Sequence, residues 1–230
     1  MRRDRFGGET AGGGSRRIER PLPRAVVDDI RATSRPGRAD AAIKAFEDVV
    51  SLLEEGRVSA AVSAAEAAKD HAPRSGAVRE LLGIALYQSE RFREALRELQ
   101  AYRRMTGRVD QNHLIADCHR ALGAPEKAIE PAREALRATI DDEARAEAAV
   151  VGASALADLG RFDEALAMTR ALRTDERTAR PFDLRLWYTA GDVLERAGRR
   201  PEAALEFARV VDHDPSAFDA AERLATLQAS

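Results

Sequence analysis

The sequence predicts an all-α fold, a solenoid of helix-turn-helix units, on three observations. Hydrophobic residues make up 44% of the chain and charged residues 33%, while aromatics are only 5%. That alanine-rich balance suits close helix-to-helix packing better than a sandwich or barrel core. Ala61, Ala95, Ala128, Ala165 and Ala203 recur at spacings of 34, 33, 37 and 38, the signature of a helical repeat. Five residues before each stands Gly56, Glu90, Gly123, Gly160 or Gly198, and a glycine is what a left-handed helix stop requires.

The elements follow in order. Residues 1–20 hold five glycines and six arginines, with Phe6 and Ile18 as the apolar side chains after the initiator. They bury too little to offset ordering entropy and are read as a disordered basic tail. Residues 21–41 form a short helix and linker: Pro23 suits a first turn, Val26, Val27 and Ile30 share a face, and Pro36 with Gly37 breaks the chain. A repeat array spans 42–217, with units near 42–75, 76–108, 109–142, 146–179 and 184–217. The second unit carries Leu82, Gly83, Leu86, Tyr87, Phe92, Ala95 and Leu99, and the fifth carries Trp187, Gly191, Ala203, Phe207 and Pro215.

Small residues on the first helices, Gly83, Ala116, Ala153 and Gly191, are expected to face the alanines of the second helices. Asp48, where the pattern wants leucine, and His119, at an aromatic position, depart from it. Tyr102, Leu172 and Val210 stand where a small residue belongs. Extra residues fall at 143–145 and 180–183. A capping helix over 217–230 puts Phe218, Ala221, Leu224, Ala225 and Leu227 on one face and Asp219, Glu222 and Arg223 elsewhere. The Val26 to Ile30 helix is expected to cap the other end.

Composition also excludes functions. Residues 1–41 hold ten arginines against six acids, and the remainder 27 basic against 33 acidic residues, so a basic tail precedes an acidic body. One cysteine, Cys118, allows no internal disulfide or cysteine cluster and fits a reducing, cytoplasmic setting. No apolar run is long enough for a membrane span, and the N-terminus has no apolar signal core. There is no GxxxxGK[ST], HExxH, CxxC or GxSxG. His113, Asp117 and Cys118 lie close in sequence, but Cys118 holds a position usually buried as alanine, and a metal site is not expected. The chain reads as non-catalytic, with no cofactor.

These repeats, LLGIALYQSERFREALREL most clearly, resemble tetratricopeptide (TPR) repeats over residues 42–217. The resemblance implies a right-handed superhelix of about five units whose first helices line a concave groove. The groove positions are Phe46, Val50, Leu53, Glu80, Ile84, Tyr87, Asp110, His113, Asp117, Arg120, Glu147, Ser154, Asp158, Arg185, Tyr188, Asp192, Glu195 and Arg196. The carboxylate clamp of chaperone-binding members needs Lys or Arg and Asn where this chain has Phe46, Val50, Glu80 and Ile84, so chaperone C-termini are not expected ligands. Seven carboxylates against three arginines lean the groove toward a basic or amphipathic peptide. The role implied is a cytoplasmic protein-protein interaction module, or scaffold. The tail offers a second role in contacting RNA, or an internal ligand for the groove. The stretches YRRMTG, IADCHRALGAPEKAI and DAAERLATL resemble those of uncharacterised TPR proteins from GC-rich actinobacteria with basic Gly/Arg-rich N-termini, a resemblance that carries no activity.

Overall fold

In each hairpin, one residue in left-handed conformation turns the chain. Gly56, Gly123, Gly160 and Gly198 have φ of 69°, 76°, 72° and 75°, and Glu90 takes the same conformation at 62°. After each, the next N–H returns to a carbonyl five residues back, as from Arg57 to Leu52 and from Arg199 to Leu194, which satisfies carbonyls that a helix end leaves open.

The computed structural model describes residues 21–229, which contain twelve α-helices, one 3-10 turn and no strand. The predicted basic tail, residues 1–20, lies outside the described residues. Helix α1 (Arg24–Thr33) precedes five hairpins: α2 (Ala39–Glu54) with α3 (Val58–His71), α4 (Gly76–Gln88) with α5 (Phe92–Thr106), α6 (Asn112–Ala121) with α7 (Ile129–Arg137), α8 (Asp142–Asp158) with α9 (Phe162–Thr169), and α10 (Pro181–Arg196) with α11 (Arg200–His213). Helix α12 (Ala220–Gln228) packs on α11. The first helices touch from unit to unit, α2 on α4, α4 on α6, α6 on α8 and α8 on α10, and among the described residues no two second helices pack comparably. The array therefore curves toward its first helices, which line the concave side.

Close approach within hairpins rests on glycine, in a different register from the expected one. A Cβ on Gly83 would lie 2.7 Å from the Leu99 side chain, and one on Gly191 would lie 2.8 Å from the Phe207 ring. The glycines thus receive the large residue one turn beyond Ala95 and Ala203 rather than the alanines themselves. In the fourth unit the receiving residue is Gly152 beside Ala153: its Cβ would overlap Met168 and come within 2.8 Å of Ala132 of the preceding unit.

The departures have local causes. Asp48 is exposed because no unit stacks on that side of α2. Tyr102, Leu172 and Val210 are buried and fill space at the far end of their hairpins. The extra residues at 143–145 lengthen α8 by a turn. Those at 180–183 start α10, where fully buried Asp183 accepts from the backbone N–H and the guanidinium of Arg180.

At the C-terminus the chain turns at Asp214, whose carboxylate accepts the N–H and hydroxyl of Ser216. Phe218 is left-handed at φ 57°. Helix α12 therefore begins at Ala220, which is buried in place of the expected Ala221, and Phe218 stays 45% exposed. At the N-terminus α1 does not stack ahead of the first unit. It lies across α2 and α4, on the concave side.

Candidate functional site

The concave face has two chemistries. Over α2 and α4 it is apolar: Phe46 and Val50 share one cluster with Ala42, Ile43, Ala77, Val78 and Leu81, joined by Val26 and Ile30 of α1 and by Leu22 just before it. Ile30 is 0% and Phe46 7% exposed. Phe46 and Val50 lie in the apolar cluster that α1 joins. Asp29 of α1 fixes the placement, because its carboxylate accepts the Ser75 hydroxyl and the Ala77 N–H at the start of α4. A carboxylate at a helix N-terminus satisfies open donors and meets the positive end of the dipole.

From α4 onward the concave side also carries polar side chains, many of which join into one chain of contacts. Tyr87 on α4 donates to Asp117 on α6 at 2.6 Å. Asp117 also holds Arg120 at 3.0 Å, which reaches Asp158 on α8 at 3.5 Å. Arg196 on α10 donates to Asp158 at 3.0 Å and lies 3.8 Å from Asp192. Arg223 of α12 closes the series, donating to Asp192 at 2.9 Å, Glu195 at 2.6 Å and the Tyr188 hydroxyl at 3.1 Å. Tyr188 in turn donates to Asp219 at 2.6 Å. Beside this chain, Arg185 pairs with Glu147 at 2.6 Å.

Burial shapes the titrations. It drives the Tyr87 phenol well above its usual range, with Asp117 adding to the effect, and pushes Tyr188 up to about 12. Burial works against the Arg223 cation, but the bonds from Glu195, Tyr188 and Asp192 outweigh it and hold that guanidinium charged. Glu80 is raised, first by burial, and accepts from Gln111 at 2.8 Å. Burial lowers His113, which favours its neutral ring. Its Nδ1 lies 3.0 Å from the Asp110 carbonyl, so that nitrogen carries the proton and Nε2 is the acceptor.

The predicted residues therefore sort by neighbour. Asp117, Arg120, Asp158, Asp192, Glu195, Arg196, Tyr87 and Tyr188 share the polar chain, Arg185 and Glu147 a separate pair. Ile84, His113 and Ser154 are half-exposed, with the Ser154 hydroxyl donating to its own helix at Val150. His113, Asp117 and Cys118 do not converge: Cys118 is buried in the core with its thiol pushed up to about 12. Among the described residues no group of three or more His, Cys, Asp or Glu is placed to hold a metal ion, and no helix is long and apolar enough to cross a membrane.

Sequence reasoning misses Arg223, Gln111 and Phe218 as groove residues. It places Arg223 on the solvated side of the cap, whereas the guanidinium lies 4.5 Å from the Phe207 ring centre and 5.4 Å from that of Tyr188, and Phe218 stacks on Tyr188 at 4.7 Å. Counting the repeat positions on into α12 would raise Arg223 as a candidate. With Arg108 on Asp110 and Arg223 on Asp192 and Glu195, the predicted acidic surplus is largely neutralised from within.

Two family patterns match the chain: one described as Tetratrico peptide repeat over residues 115–216, the other as Tetratricopeptide repeat over 49–111 and 81–143. No curated protein matches by sequence. Among solved structures, the TPR protein YrrB, described as having an unusual peptide-binding site, aligns with TM-score 0.59 and 18% identity, over 82% of this chain and 92% of that one. A thermophilic TPR protein of Thermus thermophilus aligns with TM-score 0.63 and 19% identity, over 82% of this chain and 100% of that one. The human IFIT1 dimer with m7Gppp-AAAA aligns with TM-score 0.57 and 16% identity, over 89% of this chain and 51% of that one. At these identities the likeness is one of fold.

Proposed function

The chain belongs to the tetratricopeptide repeat family, and on that premise we propose that it is a non-catalytic protein-protein interaction module that takes a peptide or protein segment in its concave groove. One observation carries this reading. Between α1 and α12 the first helices present half-exposed Ile84, the Tyr87 ring, His113, Val150 and Ser154, a mixed surface on rigid elements with acceptors at His113 Nε2 and the Ser154 oxygen. Such a face suits a segment that brings apolar side chains and a few donors. The bonded tyrosine and arginine side chains around it are held in place before a ligand arrives, which lowers the entropic cost of binding.

Charge sets the partner class. The internal arginines leave only a modest acidic excess, so long-range attraction assists a basic segment without supplying most of the affinity. An amphipathic peptide with an apolar face fits better than a uniformly basic one. The RNA-contacting role rests on residues 1–20, outside the described residues.

The test is a peptide-display selection on the intact protein, followed by titration of selected peptides against Ile84→Arg and Val150→Arg. Both side chains are partly exposed on first helices. Each substitution is expected to weaken binding by about tenfold or more. Undiminished affinity in both variants, with unchanged helical content, would place the ligand elsewhere and defeat the concave reading.

A further inference from the structure

Helix α1 has two unusual properties for a terminal helix. It packs on the concave surface of the first two units instead of on their outer end, and it covers the apolar part of that surface, where Phe46, Val50, Ala77 and Leu81 replace the charged groups found further along. Its seat combines two apolar side chains four apart, Val26 and Ile30, and Leu22 just ahead of the helix, with the Asp29 carboxylate, which accepts two bonds at the start of α4. That is the arrangement of a helical ligand in a groove: apolar anchors along one face and one polar group to set register.

The attachment is also slight. Ile30 is the one fully buried residue of α1, whereas α4 buries Val78, Leu82, Gly83, Ala85 and Leu86. The connection to α2 passes Pro36 and Gly37, with Gly37 at φ 69° and nothing within 4 Å of where its Cβ would be. Few buried contacts, and a connector tied to the array through the single backbone bond from the Arg35 N–H to the His71 carbonyl, are the features of a segment that opens before the rest of its domain.

We propose that α1 is an internal stand-in for a partner helix, and that the surface beneath it binds an amphipathic helix with apolar residues at i and i+4 and an acid just before the second of them. The partner displaces α1 and takes over its contacts, including the acceptor for Ser75 and Ala77. This rests on the concave-groove reading and adds to it the ligand class and the segment it competes with. Being tethered, α1 competes at an effective concentration of roughly millimolar, so free ligand binds more weakly than the bare surface would allow, in proportion to the fraction of time α1 is off.

The probe is a synthetic peptide of residues 21–34, used with the full chain. Hydrogen exchange of the unliganded protein is expected to show α1 amides exchanging through an opening of their own, at least about a hundredfold faster than the interior of α2 and α4. Adding the peptide should speed α1 exchange further, and an Ile30→Asp peptide should not. In the protein, Ile30→Asp should free the surface and tighten binding of the native peptide by about tenfold or more. If α1 exchanges only with global unfolding, or if the peptide neither binds Ile30→Asp protein nor disturbs α1, the proposal is overturned. Either result leaves binding at Ile84 and Val150 intact, whereas failure of the display selection alone would sink the broader reading.

Discussion

At one end of the concave face α1 lays Val26 and Ile30 over Phe46, Val50 and Leu81; at the other, α12 brings Arg223 over Phe207 and Tyr188 and into bonds with Asp192 and Glu195. Both ends are closed by a short helix, but one closure is apolar and the other ionic. The difference follows from what each helix must satisfy. Apolar positions on α2 and α4 need only area covered, and losing the cover exposes hydrocarbon at a modest cost. Carboxylates and a tyrosine held half-buried on α10 need a specific cation, and losing it leaves charge without a partner. A region covered by area alone can exchange one amphipathic helix for another; a region tied through named ionic bonds cannot.

The comparison breaks most directly at the two glycine contacts, where the same change can be made in each half. Gly191→Ala is expected to cost about 3 kcal/mol and Gly83→Ala about 1 kcal/mol. The Phe207 ring that meets Gly191 is flat and fully buried, held by Tyr188 in an edge contact at 5.6 Å and by Arg223 above. Leu99 opposite Gly83 is an aliphatic side chain packed beside half-buried Phe92 and Leu96, so its branch shifts more readily than a ring held from two sides. Urea midpoints of the two variants measure this, and equal losses would mean that the ends are equally rigid.

Next in size is Arg223→Ala, with an expected loss of about 2 kcal/mol, because Asp192 and Glu195 keep their positions while losing their shared cation. High salt should shrink that loss, since the pair is partly exposed and screening weakens it in the native protein first. A salt-independent loss would assign the effect of Arg223 to its packing on Phe207 instead of its charge.

The array is legible in the residues because its signals are local. The alanine at each seam and the turn residue five before it are set by the hairpin's own geometry, and even Glu90 is marked by its place in the series. What is not legible depends on docking. An amphipathic α1 declares an apolar face but not which surface receives it, and both outer stacking and concave docking satisfy Val26 and Ile30. The ion pairs are half legible: Asp117, Arg120, Asp158, Asp192 and Arg196 are picked out by repeat position, yet their partners depend on side chains reaching across units. Arg223 and the late start of α12 depend on Phe218 turning left-handed, which no local pattern for phenylalanine predicts.

Glu90 supplies a smaller test that improves the protein. A non-glycine residue at φ 62° carries a steric cost that its four glycine counterparts avoid. Glu90→Gly should therefore raise stability by about 1 kcal/mol after the entropy of a freer unfolded chain is deducted. A thermal midpoint that falls would show that the Glu90 side chain contributes an interaction outweighing the strain.

The smallest effect lies where the two chemistries meet. Glu80 stands on α4 between the apolar surface and the ionic chain, accepting from Gln111 while no ion pair joins it among the described residues. Burial, its largest influence, raises its pKa above 4.5, and Asp110 nearby adds to the shift. A raised folded value means that the fold prefers the protonated carboxyl. The corresponding stability is fully present below pH 4.5 and is lost as pH rises through the folded pKa. Glu80→Gln keeps an acceptor for Gln111 and cannot ionise. Its stability should match that of the native protein in acid and exceed it at neutral pH by less than about 1 kcal/mol. Denaturation midpoints of both proteins across roughly pH 3 to 8 give the difference directly. A variant that matches the native protein in acid but is the less stable of the two at neutral pH would mean that Glu80 is stabilised as the carboxylate, which would extend the ionic half of the groove one helix further toward α1.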